Sequence, residues 1–370
     1  MRLEKNVLDL LYLIGCSLNE VVPHGERVAQ IDTDSVFRLS QSQGVSAITA
    51  HALISAGNKE ARWQEHINRS IYRVAMFEIE RANLIDFMEK SGIWYMPLKG
   101  IILMNYYPQV YMREMADNDI LFDPKFQGKI KEYFVNSGYT VESYGLLHHD
   151  TYHKKPMFNF EMHTSLYSSS HARSMVRYYE NVKSRLEKDA DSKFGYHFTD
   201  NDFYIHTVSH AYKHYNSSGM GIKLLLDNYV CLKRLGNGLD LDYIESECKK
   251  AGFADFEKLA RSTAQKIFSE DRMLELDEDE IRLVEYCVGS GAYGNFNNKV
   301  RNGVKKNGDS KFKYILSRIF PSPDVIYYHF PFIGKFKLLL PIGYVLRLIK
   351  CLILRRSVAQ AEIREIKKMK

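Results

Sequence analysis

Over the first ninety residues, apolar positions recur with the 3.6-residue period of helices. Val7, Leu10, Leu11 and Ile14 fall at i, i+3, i+4 and i+7, one face of a helix. Asp32 or Thr33 is placed to cap a second helix carrying Val36 and Leu39. A long helix over residues 62–90 carries Ile71, Val74, Ala75, Met76, Phe77 and Ile79, and Ser91-Gly92 stops it. There the period shortens. Residues 93–96 predict a strand, 97–100 a turn, and 101–107 a short helix closed by Pro108. Residues 118–122 predict a second strand. Asp123-Pro124 opens a helix to about residue 135, which Asn136-Ser137-Gly138 ends. Further strands follow at 139–143 and 157–163. Past residue 200 the pattern returns to helix. One segment, capped by Asp200 or Asn201, runs to Tyr215, and a second spans 221–235 before Gly236-Asn237-Gly238. Two or three more helices reach residue 286. The glycine-rich loop after them and the polar stretch 295–310 mark a boundary.

This order predicts an α+β fold, a small mixed sheet flanked by N- and C-terminal helical segments. It divides the chain into a helical segment 1–90, an α/β core 91–200, a helical domain 201–295 and a C-terminal segment 296–370.

The strands carry the candidate chemistry. Side chains alternate along a strand, so Asp117 and Asp119 point the same way. In the later strand Asn159, Glu161 and His163 share one face, while Phe158, Phe160 and Met162 take the other. Three carboxylates that converge, with Lys99-Gly100 in a turn upstream and Arg113 between, suit magnesium-dependent phosphoryl or nucleotidyl transfer. Mg²⁺ takes oxygen ligands, usually one or two carboxylates plus substrate phosphates. Gly100 would let the backbone approach a phosphate, and Lys99 would add a point charge. Arg113 is placed for a phosphate contact, for orienting Asp117, or for an ordinary ion pair. His206, His210 and His214 lie at i, i+4 and i+8, but the acid of an H-E-x-x-H zinc motif is missing, so a structural histidine stripe is expected. His148, His149 and His153 read as a loop before Glu161, placed either to contact substrate or simply to be exposed.

The sequence Leu98-Lys99-Gly100, Arg113, Asp117-Asn118-Asp119 and Glu161-Met162-His163, in that order, resembles the nucleotidyltransferase superfamily that shares a fold with DNA polymerase β. It is most similar to the bacterial group of uncharacterised nucleotidyltransferase family proteins. The resemblance runs from about residue 30 to beyond 290. It takes in Tyr106-Tyr107-Pro108, His148-His149-Asp150, and the helix with His206, His210, Lys213 and His214, followed by Asp227. It departs from the wider superfamily at Lys99-Gly100, where a glycine-serine pair is usual, and at Asn118, where an apolar residue is usual.

The resemblance implies a nucleotidyltransferase core in the small mixed sheet, and Asp117, Asp119 and Glu161 as catalytic, Mg²⁺-binding residues. Lys99, Gly100, Arg113, His210 and Lys213 would face the nucleotide, with Asp227 supporting His210 and Lys213. The activity implied is transfer of a nucleotidyl group from a nucleoside triphosphate to an acceptor hydroxyl on a sugar, small molecule or protein. The alternative is an inactive binding or regulatory protein on the same fold.

Composition narrows the setting. Hydrophobic residues make up 45% and charged residues 26%, as in an ordinary folded protein. Five scattered cysteines without C-x-x-C spacing argue against a disulfide framework or zinc ribbon and fit a reducing cytoplasm. Residues 7–16 include Asp9 and lack a cleavage site, so they read as a first helix, not a signal peptide. The net charge of +6 is uneven, since residues 331–370 carry +8 and the remainder −2. That balance excludes long duplex nucleic acid as the main partner. In residues 336–356 Lys337, Pro341, Arg347, Lys350 and Arg355 interrupt the apolar run, which rules out a membrane span. Ile342, Leu346, Ile349 and Ile353 lie on one helical side. They predict either peripheral contact with an anionic membrane surface or a helix packed on the body.

Overall fold

A computed structural model of the chain describes residues 3–168, 171–269, 275–354 and 356–369, so the tail cation Arg355 lies outside the described residues. Contacts divide the chain into two units, one of residues 1–213 with 221–292, the other of 214–220 with 293–370. The fold is α+β.

In the first unit the N-terminal helices are Lys5–Leu18, Thr33–Gln43, Ser46–Ser55 and Ala61–Ser91, with a single turn at Gly25–Val28. Asp32, not Thr33, is the cap, and its side chain accepts hydrogen bonds from the N–H groups of Asp34 and Ser35. The long helix ends where Gly92 adopts a left-handed conformation, φ +67°, that other residues resist.

Five strands form one sheet: β1 (Tyr95–Pro97), β2 (Asn118–Phe122), β3 (Thr140–Ser143), β4 (His149–Lys154) and β5 (Phe158–His163). Their order is β1-β2-β5-β4-β3. Only the β2–β5 pair is parallel; the other three pairs are antiparallel, so the sheet is mixed. Ile120, Phe122, Tyr152, Phe158, Phe160 and Met162 on one face join Val74, Phe77, Leu84 and Met88 of the long helix. The helix Gln127–Asn136 adds Ile130 and Phe134 to this core. Phe134 stacks on Tyr152 with ring centroids 4.2 Å apart and also packs on Tyr139 and Phe160.

Two features depart from expectation. Residues 149–154, expected as loop, form a central strand, and a hairpin of β6 (Leu186–Lys188) and β7 (Tyr196–Phe198) appears where none was expected. The strand β4 offers only Tyr152 as an apolar inward residue. The position that would announce a strand is instead Asp150, buried, where it accepts from the Gly145 N–H and the Gln127 side chain.

Asn118 also lies on the core face, fully buried, and its Oδ1 accepts a 3.0 Å hydrogen bond from Arg81 of the long helix. A polar residue can stand in this mostly apolar strand because a partner reaches it. Beyond the sheet come helices Asp200–Tyr215, Lys223–Leu235, Leu241–Ala251, Ala254–Phe268 and Glu278–Ser290.

The second unit contains helices Phe296–Lys306 and Lys311–Ile319, built on the polar stretch read as a boundary, and a terminal helix Arg356–Lys368. Their small core holds Val300, Val304, Tyr314 and Ile366, fastened by the Arg301–Glu365 and Arg318–Glu362 ion pairs. Between them lies the helix Leu340–Leu354, with Pro341 in its first turn. No helix among the described residues is long and apolar enough to cross a membrane.

The aromatic stack gives a direct test. Phe134→Ala should lower stability by about 3–5 kcal/mol through lost contacts and the cavity left behind. Urea denaturation followed by circular dichroism measures it, and a loss below about 1 kcal/mol would show that this layer does not hold the sheet.

Candidate active site

The face of the sheet opposite the core carries the polar residues. In the parallel pairing of β2 and β5, Asp119 stands directly beside Glu161, and Leu121 beside His163. Strand β4 adds His149 opposite His163 and Thr151 opposite Glu161. One ligand atom each of Asp119, Glu161 and His163 lies within 4.8 Å of the other two. Asp117, just ahead of β2, is outside that group, although its charge acts on both Asp119 and Glu161.

Lys99 enters this group from the turn after β1. Its backbone has the uncommon angle φ +21° for a non-glycine residue. Its Nζ donates to Asp119 Oδ2 at 3.0 Å and to His210 Nε2 at 2.7 Å. His163 Nε2 donates to Asp119 Oδ1 at 2.8 Å. Lys213, from the same helix as His210, is half-buried nearby, and the charges of Lys99, Asp119, Glu161 and Asp117 all act on it.

The electrostatics follow from crowding. At an effective dielectric of about 20, two full negative charges 4.8 Å apart repel by about 3.5 kcal/mol. Burial opposes ionisation of Asp119, but the Lys99 charge and the His163 hydrogen bond overcome it and hold its carboxyl well below the usual range. Glu161 accepts no such hydrogen bond among the described residues, with His149 Nε2 3.6 Å and His163 Nε2 3.8 Å from its Oε2. Burial, then the charges of Asp119 and Asp117, push it up to about 8. Burial and Asp119 likewise raise Asp117 to about 6. Burial, with the Lys99 charge next, brings Lys213 down to about 8. A divalent cation beside Asp119 and Glu161 would reverse the upward shifts of Glu161 and Asp117, and the paired carboxylates fit the hard-ligand preference of Mg²⁺.

Arg113 and Gly100 take a different place. The Arg113 guanidinium grips Asp227 with two hydrogen bonds of 2.9 Å, and Tyr107 Oη donates to the same carboxylate at 2.8 Å. Its remaining Nη1 contacts Met115 Sδ. Asp227, expected behind His210 and Lys213, is thus held by Arg113 and Tyr107. A Cβ at position 100 would meet Arg113 Nη1 at 2.8 Å, so the glycine makes room for this guanidinium.

The region 29–269 matches the model of a family described as Uncharacterised nucleotidyltransferase. The chain belongs to that family. Neither a curated protein nor a solved structure gave a match. Within this chain, Asp119, Glu161, Lys99, His210 and Lys213 gather at one site, with Asp117 at its edge and Arg113 and Gly100 set behind the turn. His149 and His163 were missing from the expected set. The alternation that placed His163 on the Glu161 face was the available signal for His163, whereas His149, noted only as a loop residue before Glu161, was set opposite His163 by β4.

Asp227→Ala should leave Arg113 buried without its counter-charge and Tyr107 without an acceptor, at a cost of about 3–5 kcal/mol. Chemical denaturation reads this directly. A loss under 1 kcal/mol would mean the ion pair does not brace the turn.

Proposed function

We propose that the chain is a Mg²⁺-dependent nucleotidyltransferase that moves a nucleotidyl group from a nucleoside triphosphate to an acceptor hydroxyl, releasing pyrophosphate. The observation that carries this reading is the side-by-side placement of Asp119 and Glu161 across the parallel β2–β5 pair, with Asp117 and two lysines around them. Family membership supports the same chemistry.

Asp117 and Asp119 would hold the metal, and Glu161 would be either a further ligand or the base that takes the acceptor's proton. Bound Mg²⁺ would supply neutralisation of phosphate charge at the transition state. Lys99 now occupies Asp119 Oδ2 and has only to exchange that oxygen for a phosphate oxygen. Lys213, with no hydrogen bond or ion pair among the described residues, is free to do the same, and His210 steers Lys99. Arg113 and Gly100, clasped with Asp227, would keep the turn in place under the triphosphate. Catalysis on this reading is mostly positioning and charge. The acceptor would be a sugar, a small molecule or a protein side chain.

A cytoplasmic setting is supported by five scattered cysteines that form no disulfide. Peripheral membrane contact is favoured by one observation in the second unit. On the helix Leu340–Leu354, Ile342 is 52% exposed, Val345 55%, Ile349 47% and Ile353 71%, near the cations Arg347 and Lys350. The terminal helix, by contrast, buries Ile366 in its own core. Such an apolar stripe with basic neighbours suits an anionic lipid surface.

Titration calorimetry with a non-hydrolysable triphosphate tests the site. Wild-type protein should bind only with Mg²⁺, Lys99→Ala should weaken binding about tenfold, roughly 1.4 kcal/mol, and Asp119→Asn should remove the metal dependence. A pyrophosphate-release assay should show a loss of about 10²–10³ in Glu161→Gln. Equal affinity in all variants would remove these residues from the site. Metal-dependent binding without any pyrophosphate release would favour the inactive binding or regulatory protein instead.

For the tail, Ile349→Glu with Ile353→Glu should abolish co-sedimentation with phosphatidylserine vesicles while nucleotide binding is kept. Wild-type co-sedimentation should weaken as salt rises. Absence of vesicle binding by the wild-type chain would reject the membrane contact.

A further inference from the structure

Beside the carboxylates lies a second cluster of different chemistry. His148 immediately precedes β4, His149 opens it, and His163 closes β5. One ring nitrogen from each of the three lies within 4.8 Å of the other two. The rings crowd one another, with centroids 4.6 Å apart for His148 and His149 and 5.0 Å for His149 and His163.

Imidazoles packed so closely cannot all be charged. A neutral imidazole offers one lone pair to a metal. For His163 the lone pair can be placed. Its Nε2 carries the proton donated to Asp119, so Nδ1 is the bare nitrogen. That Nδ1 is buried and has no hydrogen-bond partner among the described residues. The same holds for His148 Nδ1, and both residues are more than nine-tenths buried.

One outer contact is of the kind that orients metal-binding histidines, since such a ring commonly donates its second N–H to a carboxylate. His163 does this with Asp119, while His149 Nε2 lies 3.6 Å from Glu161 Oε2, beyond a hydrogen bond. His149 Nδ1 meets His148 Nε2 at 3.3 Å. Three neutral nitrogens are a poor site for Mg²⁺, which prefers oxygen, but a fitting one for first-row transition metals.

We propose that His148, His149 and His163 together bind a transition-metal ion of the Zn²⁺ class, separate in donor chemistry from the carboxylate pair. Three imidazoles leave a four-coordinate ion one open position, as in sites where the metal meets water or substrate. His163 belongs to both groups, so this ion would sit next to the carboxylates. The inference goes beyond nucleotidyl transfer and does not depend on it.

The test uses the full chain and metal alone, without nucleotide. Protein stripped with chelator is dialysed against Co²⁺ or Zn²⁺, and bound metal is counted by mass spectrometry. One retained equivalent is expected, with the visible absorption of Co²⁺ coordinated by imidazole, and a large excess of Mg²⁺ should not displace it. His149→Ala, a partly exposed position that should fold, is expected to lower Co²⁺ affinity at least tenfold, and His148→Gln to do the same. No retained metal in the wild-type chain, equal retention in both variants, or full displacement by Mg²⁺ would overturn the proposal. Because the readout needs no triphosphate, its failure leaves the nucleotidyltransferase reading standing, and the converse also holds.

Discussion

Like charges held side by side are the constraint around which this site is built. Parallel pairing of β2 with β5 sets Asp119 against Glu161, and a buried pair of that kind is unstable without positive charge close by. Lys99 supplies part of it from a turn whose backbone is held at an uncommon angle. His163 supplies a hydrogen bond to Asp119, and Glu161, where burial and the two aspartates outweigh the Lys99 and Lys213 charges, is pushed up to about 8. A cation bound there, as proposed, would gain from relief of the repulsion built into the fold.

That arrangement depends on how the sheet is divided. One face is mostly aromatic and aliphatic packing against the long helix, with Asn118 and Asp150 buried there on hydrogen-bond partners, and the other face holds the acids and histidines of the site. The cations arrive from elements outside the sheet, Lys99 from the turn after β1 and Lys213 with His210 from the helix Asp200–Tyr215. The turn is braced from behind, where Arg113, Tyr107 and Asp227 form a buried knot pressed against Gly100. A precise site needs supporting residues that are themselves locked, and this knot meets that need.

Much of the fold was legible because its signals are local. Helical periodicity marked the long helix, Gly92 marked its end, and alternation marked β5 with Glu161 and His163 on one face. The strand β4 was not legible. Its inward positions are Asp150 and Tyr152, and a buried acid looks like a loop residue until Gly145 and Gln127 are seen to satisfy it. The helix Phe296–Lys306 was hidden for a similar reason, since Val300 and Val304 are its only buried residues.

By itself the sequence determined which residues share a strand face, because side-chain alternation is a property of the backbone alone. It also determined the candidate acids and the lysine of the turn. Only the tertiary structure decided which of them meet. The register that puts Asp119 beside Glu161 joins positions about forty residues apart, and the partner of Arg113 lies 114 residues away. Asn118 needed Arg81 of the long helix, and His149 needed a strand that no apolar pattern announced. Such pairings are set by how whole elements pack, and packing energy is shared across residues that local spacing never connects.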